Sequence, residues 1–209
     1  MIRLAVTLLS GGLDSVTATA WAKAEGWDVS ALSIDYGQLH RRELKAARAV
    51  AEHLGIPHYE ADARFFAGLA GHSALTDATV HALPLGRDPE AMPDGDIPIT
   101  YVPMRNSVFL TLAAAALENL VLGAIDARRE APANIRAGVI IAANALDYSG
   151  YPDCRPSFYA AARSMLNLGS KIFSQHKVEI EILTPLIAMS KAEIVQLGTK
   201  LQAPLYLSW

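Results

Sequence analysis

Residues 4–10, "LAVTLLS", are apolar at five of seven positions and stop at two glycines, which predicts a buried strand ending in a tight turn. A helix is expected from about 14 to 26, and "DVSALSID" at 28–35 returns to a strand pattern. That is a βαβ opening. "HRRELKAARAVAEHLG" places Leu44, Ala47, Val50, Ala51 and Leu54 on one helical face, with Gly55 and Pro57 as stop signals, and "HYEAD" supplies a third short strand. The alternation breaks at 71–103, where "LPLGRDPEAMPDGDIP" reads as a long loop, expected to be a mobile lid or ordering element. A helix at 106–123 is apolar around much of its circumference and should be buried. "DARREAPANIRAG" reads as a solvated connection, "AGVIIAAN" as a central strand, and "VEIEILTP" as a strand with one wetter face. "SKAEIVQLGTKL" carries the serine and Glu193 of a capping box. Alternating strands and helices imply a single-domain, three-layer α/β/α fold with a mostly parallel, Rossmann-like sheet. No internal repeat or linker divides the 209 residues.

Composition narrows the function classes. With 52% hydrophobic and 19% charged residues, the chain can bury one ordinary core, so disorder and coiled coil are not expected. A net charge of -3 gives no global attraction to nucleic acid or an acidic membrane. The apolar start lacks a signal-peptide cleavage site, no apolar run predicts a membrane span, and the lone Cys154 cannot form an internal disulfide. A cytoplasmic location is the expectation, with no membrane and no direct nucleic-acid partner. A homodimer is compatible with all of this.

The chemistry gathers at the predicted strand ends: 10–15, 33–38, 144–155 and 184–191. Gly11 and Gly12 could simply turn the chain, with Asp14 or Ser15 capping the helix. The alternative is a phosphate site, where backbone N–H groups and the hydroxyls of Ser10 and Ser15 meet a helix N-terminus. Neither the G-x-G-x-x-G fingerprint nor a Walker Gly-Lys-Ser/Thr is present. "NALDYSGYPDCR" packs Asn144, Asp147, Tyr148, Tyr151, Asp153 and Arg155 into one stretch, more polar and aromatic groups than a connection requires. The six histidines show no metal-ligand spacing, although His40 sits near a strand end, and Cys154 reads as a small buried group.

"SGGLDS" after a first strand resembles the pyrophosphate loop of the adenylate-forming ATP pyrophosphatases. Together with "SIDYGQLHRREL", "TYVPMRN", "NALDYSGYPDCR" and "TPLIAMSKAEI", in that order, it resembles the 7-cyano-7-deazaguanine synthase family of the queuosine pathway over nearly the whole chain. The resemblance implies an adenine nucleotide α-hydrolase-like fold. It also implies conversion of 7-carboxy-7-deazaguanine and ammonia to the nitrile, preQ0, with ATP used twice and AMP and pyrophosphate released. The family also carries a zinc-binding cluster of four cysteines beyond a "SW"-like segment. This sequence ends at Ser208-Trp209, and those ligands are missing from it. A related enzyme that gives the deazaguanine carboxylate to another amine, such as a protein's, and a non-catalytic nucleotide-binding relative are the alternatives.

Within that frame Ser10, Gly11, Gly12, Leu13, Asp14 and Ser15 are expected to bind ATP, with Ser33 at the end of the second strand contributing near the adenine. Asp14 would repel phosphate directly and suits a Mg²⁺ ligand. Arg105 and Lys191 are candidate cations for the phosphates, catalytic together with Asp14. Tyr36, Gln38, Asn144, Asp147, Tyr148, Tyr151, Asp153 and Arg155 are the candidate substrate contacts. A deazaguanine offers an N–H edge to a carboxylate and a flat face to an aromatic ring, with Asp147 and Asp153 competing for the edge.

Overall fold

A computed structural model of the chain describes residues 1–37, 42–70, 97, 101–144 and 151–209. The expected Gln38, His40, Asp147 and Tyr148 contacts, and most of the 71–103 loop, lie outside these residues. Five parallel strands, β1 (Ile2–Leu8), β2 (Asp28–Asp35), β3 (His58–Asp62), β4 (Ile135–Ile140) and β5 (Ile180–Leu183), form one sheet in the order β3-β2-β1-β4-β5. Helices α1 (Leu13–Ala24), α2 (Arg42–Leu54) and α7 (Lys191–Lys200) cover one face. On the other lie α4 (Arg105–Asp126), α5 (Pro156–Gly169) and α6 (Lys171–His176), and the short α3 (Phe65–Leu69) follows β3. The three-layer parallel fold is therefore as expected.

The inner strands β1, β2 and β4 are mostly buried because both faces are covered, whereas β3 (HYEAD) at the sheet edge is largely exposed. Leu4 and Val6 of β1 join the core under α4, while Ala5 turns to the opposite cluster with Ala18, Ile140 and Ile194. In β4, Ile135, Ala137 and Val139 take the α4 side and Ile140 the other, the period-2 alternation of a doubly covered strand.

Three local expectations need correction. Gly12 caps α1, and its φ of -77° and ψ of 157° are extended; no side chain bonds the cap, so neither Asp14 nor Ser15 plays that role. Strand β4 starts two residues earlier than expected, because Ile135 and Arg136 pair with Ile2 and Arg3, and its last expected residues, 141–144, leave the ladder. α4 is long and apolar enough to cross a membrane by length and composition alone, which the sequence pattern did not suggest. Here it packs across β1 and β4 with Leu110, Ala113, Leu117 and Val121 fully buried, as a core helix does. Helices α5 and α6 lie in a stretch where the sequence pattern singles out no element.

Candidate active site

The chain leaves β1 for one face of the sheet through α1 and enters β4 from the other through α4, so the connections diverge between these neighbouring strands. At such a switch point no helix covers the carboxyl ends of the strands, and a crevice remains. A cavity of about 670 Å³ lies there. Its walls come from the ends of β1, β2 and β4, the first turns of α1, α2, α4 and α5, and Lys191 and Trp209.

One end is built around the glycine turn. Ser15 Oγ accepts the Gly11 N–H at 3.2 Å and donates to the Gly12 carbonyl at 2.8 Å, while Ser10 Oγ accepts the Gly12 N–H at 3.2 Å. The hydroxyls of Ser10 and Ser15 also meet at 3.1 Å. The loop's donors are thus gathered at one spot, each satisfied by a neighbour that an incoming anion could replace. Gly11 has a φ of 89°, and a Cβ there would lie 2.2 Å from the Glu43 carbonyl oxygen. Its bareness lets the first turn of α2 pack against the loop. Gly12 has no such constraint, since the nearest atom to a Cβ would be Ser10 Oγ at 3.5 Å. The Trp209 N–H donates to the Gly11 carbonyl at 2.9 Å, and the Arg42 guanidinium lies 4.9 Å above the Trp209 ring.

Lys191 Nζ is 2.8 Å from both carboxylate oxygens of Asp14, bridging 177 positions of sequence. The Ser190–Glu193 capping box makes this contact possible by starting α7 at Lys191 itself. Mg²⁺ typically takes one or two carboxylates together with phosphate oxygens and water, and Asp14, on the cavity wall beside the loop hydroxyls, fits that need. Zinc is different. Among the described residues no three His, Cys, Asp or Glu side chains cluster, and burial raises the Cys154 thiol to about 11, far from the thiolate that zinc binds. The described residues do not fit zinc.

The other end is aromatic and polar: Tyr36, Arg105, Asn106, Phe109, Asn144, Tyr151, Cys154 and Tyr159 line it. Met104, in the left-handed region at φ 59°, turns the chain so that α4 begins at Arg105. Burial works against the Arg105 charge, but the neighbouring Tyr36 phenol and Asp153 carboxylate outweigh it and raise its pKa. Tyr36 is itself pushed up by burial, with Arg105 opposing. Its ring packs against Phe109 with centroids 5.3 Å apart, and Tyr101 packs against Tyr151 at 5.8 Å. Asn144 donates to the Met189 carbonyl at 2.6 Å, tying the end of β4 to the approach of α7.

Of the expected residues, Ser10, Gly12, Leu13, Asp14, Ser15, Tyr36, Arg105, Asn144, Tyr151 and Lys191 share this cavity. Others are displaced from its lining. Ser33 is 1% exposed; its hydroxyl donates to the Leu9 carbonyl at 2.5 Å and pairs with His58 Nε2 at 2.8 Å, so it fastens β2 to β1 and β3. Gly11 faces α2, and Arg155 caps the exposed start of α5. Asp153 is 5% exposed and just off the wall, bracketed in sequence by the lining residues Tyr151 and Cys154, with one oxygen accepting the Asn106 N–H at 3.4 Å. Burial raises its pKa, against the pull of Arg105. Glu43, Leu44, Phe109, Tyr159 and Trp209 also line the wall and were not expected there: Glu43 and Leu44 end the "SIDYGQLHRREL" stretch but read as helix, and the others are brought in by packing.

The family model described as queuosine biosynthesis protein QueC matches residues 4–209. The chain belongs to the QueC family. The chain is 43% identical over 211 aligned residues to the 7-cyano-7-deazaguanine synthase of Thermoplasma volcanium, covering 100% of this chain and 78% of that protein. The enzyme of the same name from Anaeromyxobacter dehalogenans is 46% identical, covering 97% and 79%. Among solved structures, a chain described as a predicted subunit of tRNA methyltransferase from Methanocaldococcus jannaschii superposes with a TM-score of 0.54. That alignment covers 95% of this chain and 75% of the other at 16% identity, a likeness of fold alone. The QueC match spans both ends of the cavity, from the glycine turn to Lys191 and Trp209.

Proposed function

We propose that this QueC-family protein converts 7-carboxy-7-deazaguanine and ammonia to 7-cyano-7-deazaguanine, with ATP as the activating co-substrate. The observation that carries this is one cavity with a phosphate-type turn at one end and an aromatic, arginine-bearing pocket at the other. An adenylating enzyme needs that adjacency, since the carboxylate must approach the α-phosphate in line with the departing pyrophosphate.

In the first half-reaction a carboxylate oxygen attacks the α-phosphorus, the bond to the β-phosphate oxygen breaks, and pyrophosphate leaves. Ammonia then attacks the acyl carbon, loses a proton and displaces AMP, giving the amide. A second ATP activates the amide oxygen in the same way. Loss of AMP and the two N–H protons leaves the nitrile. The N–H groups of Gly11, Gly12 and Leu13 and the hydroxyls of Ser10 and Ser15 hold the phosphates, exchanging their present partners for phosphate oxygens. Asp14 would hold Mg²⁺, which when bound would supply positive charge to offset that on the pyrophosphate. Lys191, now paired with Asp14, and Arg105 are the cations that face developing charge. Ser33 acts indirectly, by fixing the end of β2 beneath the nucleotide. Tyr36, Asn144 and Tyr151 hold the base, and Asp153 takes its N–H edge.

Mass analysis of a reaction with 7-carboxy-7-deazaguanine, ammonia and MgATP tests this. Nitrile with AMP and pyrophosphate is expected. ADP and phosphate would overturn the adenylation chemistry. Deazaguanine acyl group found only as an amide on a protein amine, with AMP released, would replace nitrile synthesis with ligation.

A further inference from the structure

Two adjacent glycines are poorly suited to hold a hydrogen-bond donor in one direction. With no Cβ on either side, the peptide unit joining Gly11 and Gly12 can rotate about its flanking bonds at little steric cost. In a trans peptide the C=O and N–H of one unit point to opposite sides, so such a flip exchanges a donor for an acceptor. Flipped, the unit would present the Gly11 carbonyl oxygen to an arriving anion.

A segment far away in sequence holds the unit the other way round. The Trp209 N–H donates to the Gly11 carbonyl at 2.9 Å, and on the opposite side of the same unit the Gly12 N–H donates to Ser10 Oγ at 3.2 Å. Ser10 and Gly12 line the cavity, whereas Gly11 does not. The donor therefore faces the cavity, and the acceptor is turned away and occupied. Trp209 is itself well anchored. Leu205 and Leu207, in the turn that precedes it, pack against the cluster of Leu9, Val16 and Val50, and Ser208 Oγ donates to the Leu205 carbonyl at 2.6 Å. The Trp209 ring lies 4.9 Å below the guanidinium of Arg42, the first residue of α2, and the next residue, Glu43, is the one whose carbonyl abuts Gly11.

We infer that Trp209 is a positioning residue for the phosphate site: its main-chain N–H fixes the peptide between Gly11 and Gly12 so that the Gly12 N–H points at the bound phosphate. This rests on the proposal that the glycine turn binds ATP, and it adds a contribution from outside the turn, made by the backbone and separable from the indole. The coupling is reciprocal, since a hydrogen bond that favours ATP binding by some factor is favoured by ATP by the same factor.

Trp209→Ala and Trp209→Pro lose the same indole, and only the proline also loses the N–H. Ser208 is extended, at φ -72° and ψ 153°, the conformation that proline asks of its predecessor. In calorimetry with one ligand at a time, Trp209→Pro should bind MgATP about tenfold more weakly than Trp209→Ala, the loss of one orienting hydrogen bond. The two variants should bind 7-carboxy-7-deazaguanine equally. Equal MgATP affinity in the two, or an equal loss of both ligands in Trp209→Pro, would make Trp209 a packing residue and overturn the inference alone. In the wild type, hydrogen exchange at the Trp209 amide should slow at least about tenfold on saturation with MgATP. An exchange rate indifferent to MgATP overturns the inference even if Trp209→Pro does not fold. Wild-type protein that binds no MgATP would instead overturn the proposed function.

Discussion

Gly11 and Gly12 stand side by side and do different jobs. Alanine at Gly11 must adopt a φ of 89° and displace the Glu43 carbonyl from 2.2 Å, which should cost at least about 2 kcal/mol of stability in a denaturation titration. Alanine at Gly12 meets only Ser10 Oγ at 3.5 Å, so that variant should fold normally and lose ATP affinity instead, where the methyl would crowd an approaching phosphate. Equal stability in the two variants would remove the packing role of Gly11. A second residue-scale expectation concerns His58, whose pKa is lowered chiefly by burial beneath Ser33. The folded chain therefore binds a proton there less readily than the unfolded chain does. Stability from this group is fully present above about pH 6.5 and is lost as pH falls below that value through the lower pKa of the folded imidazole. In His58→Gln that part of the pH slope should vanish from an unfolding series between about pH 7.5 and 5.5. Gly12, Asp14, Arg105, Tyr151 and Lys191 were legible as cavity residues because they stand where strands end or helices begin, in stretches more polar or bare than a connection requires. Ser33 misled for the same reason, since its polar partner, His58, sits 25 residues away in another strand. Tyr159 was silent, because an aromatic in a helix looks like core until a cavity is found beside it.

At the scale of elements, α7 sets the position of Lys191 through its cap. Ser190 Oγ accepts the Glu193 N–H, and Glu193 accepts the Ser190 N–H at 2.7 Å, which fixes the helix start and hence the reach of Lys191 to Asp14. Ser190→Ala should lower stability by about 1 kcal/mol, seen as a shift in the urea midpoint. It should also reduce turnover more than a Lys200→Ala control at the other end of the same helix. Equal turnover in the two would mean that Lys191 reaches its place without the cap. β2 was legible to the residue because a covered parallel strand is a nearly continuous buried run, and β3 because the Gly55 and Pro57 stop signals mark its start. α5 was not. Its buried residues Tyr159, Ala162, Leu166 and Asn167 follow helical spacing, but Pro156 and Ser157 at its start look like loop. Proline at the first position of a helix is favourable, and here it opens the helix that carries Tyr159.

For the whole molecule, the sheet order decides where chemistry can occur. Only between β1 and β4 do the connections part, and the two ends of the cavity are furnished by elements from opposite faces: α1, α2 and α7 at the glycine turn, α4 and α5 at the aromatic end. The position of the cavity was predictable in outline from strand ends and not in detail, since the order of strands follows from packing between segments far apart in sequence. The central claim is that both ligands meet in this cavity and react there. Exchange of labelled pyrophosphate into ATP, without ammonia, tests it most directly. Exchange should require 7-carboxy-7-deazaguanine, and Asp14→Asn should slow it at least about tenfold with little loss of ATP affinity, because the lost interaction is one made in the transition state. Exchange that proceeds without the deazaguanine, or that is indifferent to Asp14→Asn, would contradict the account.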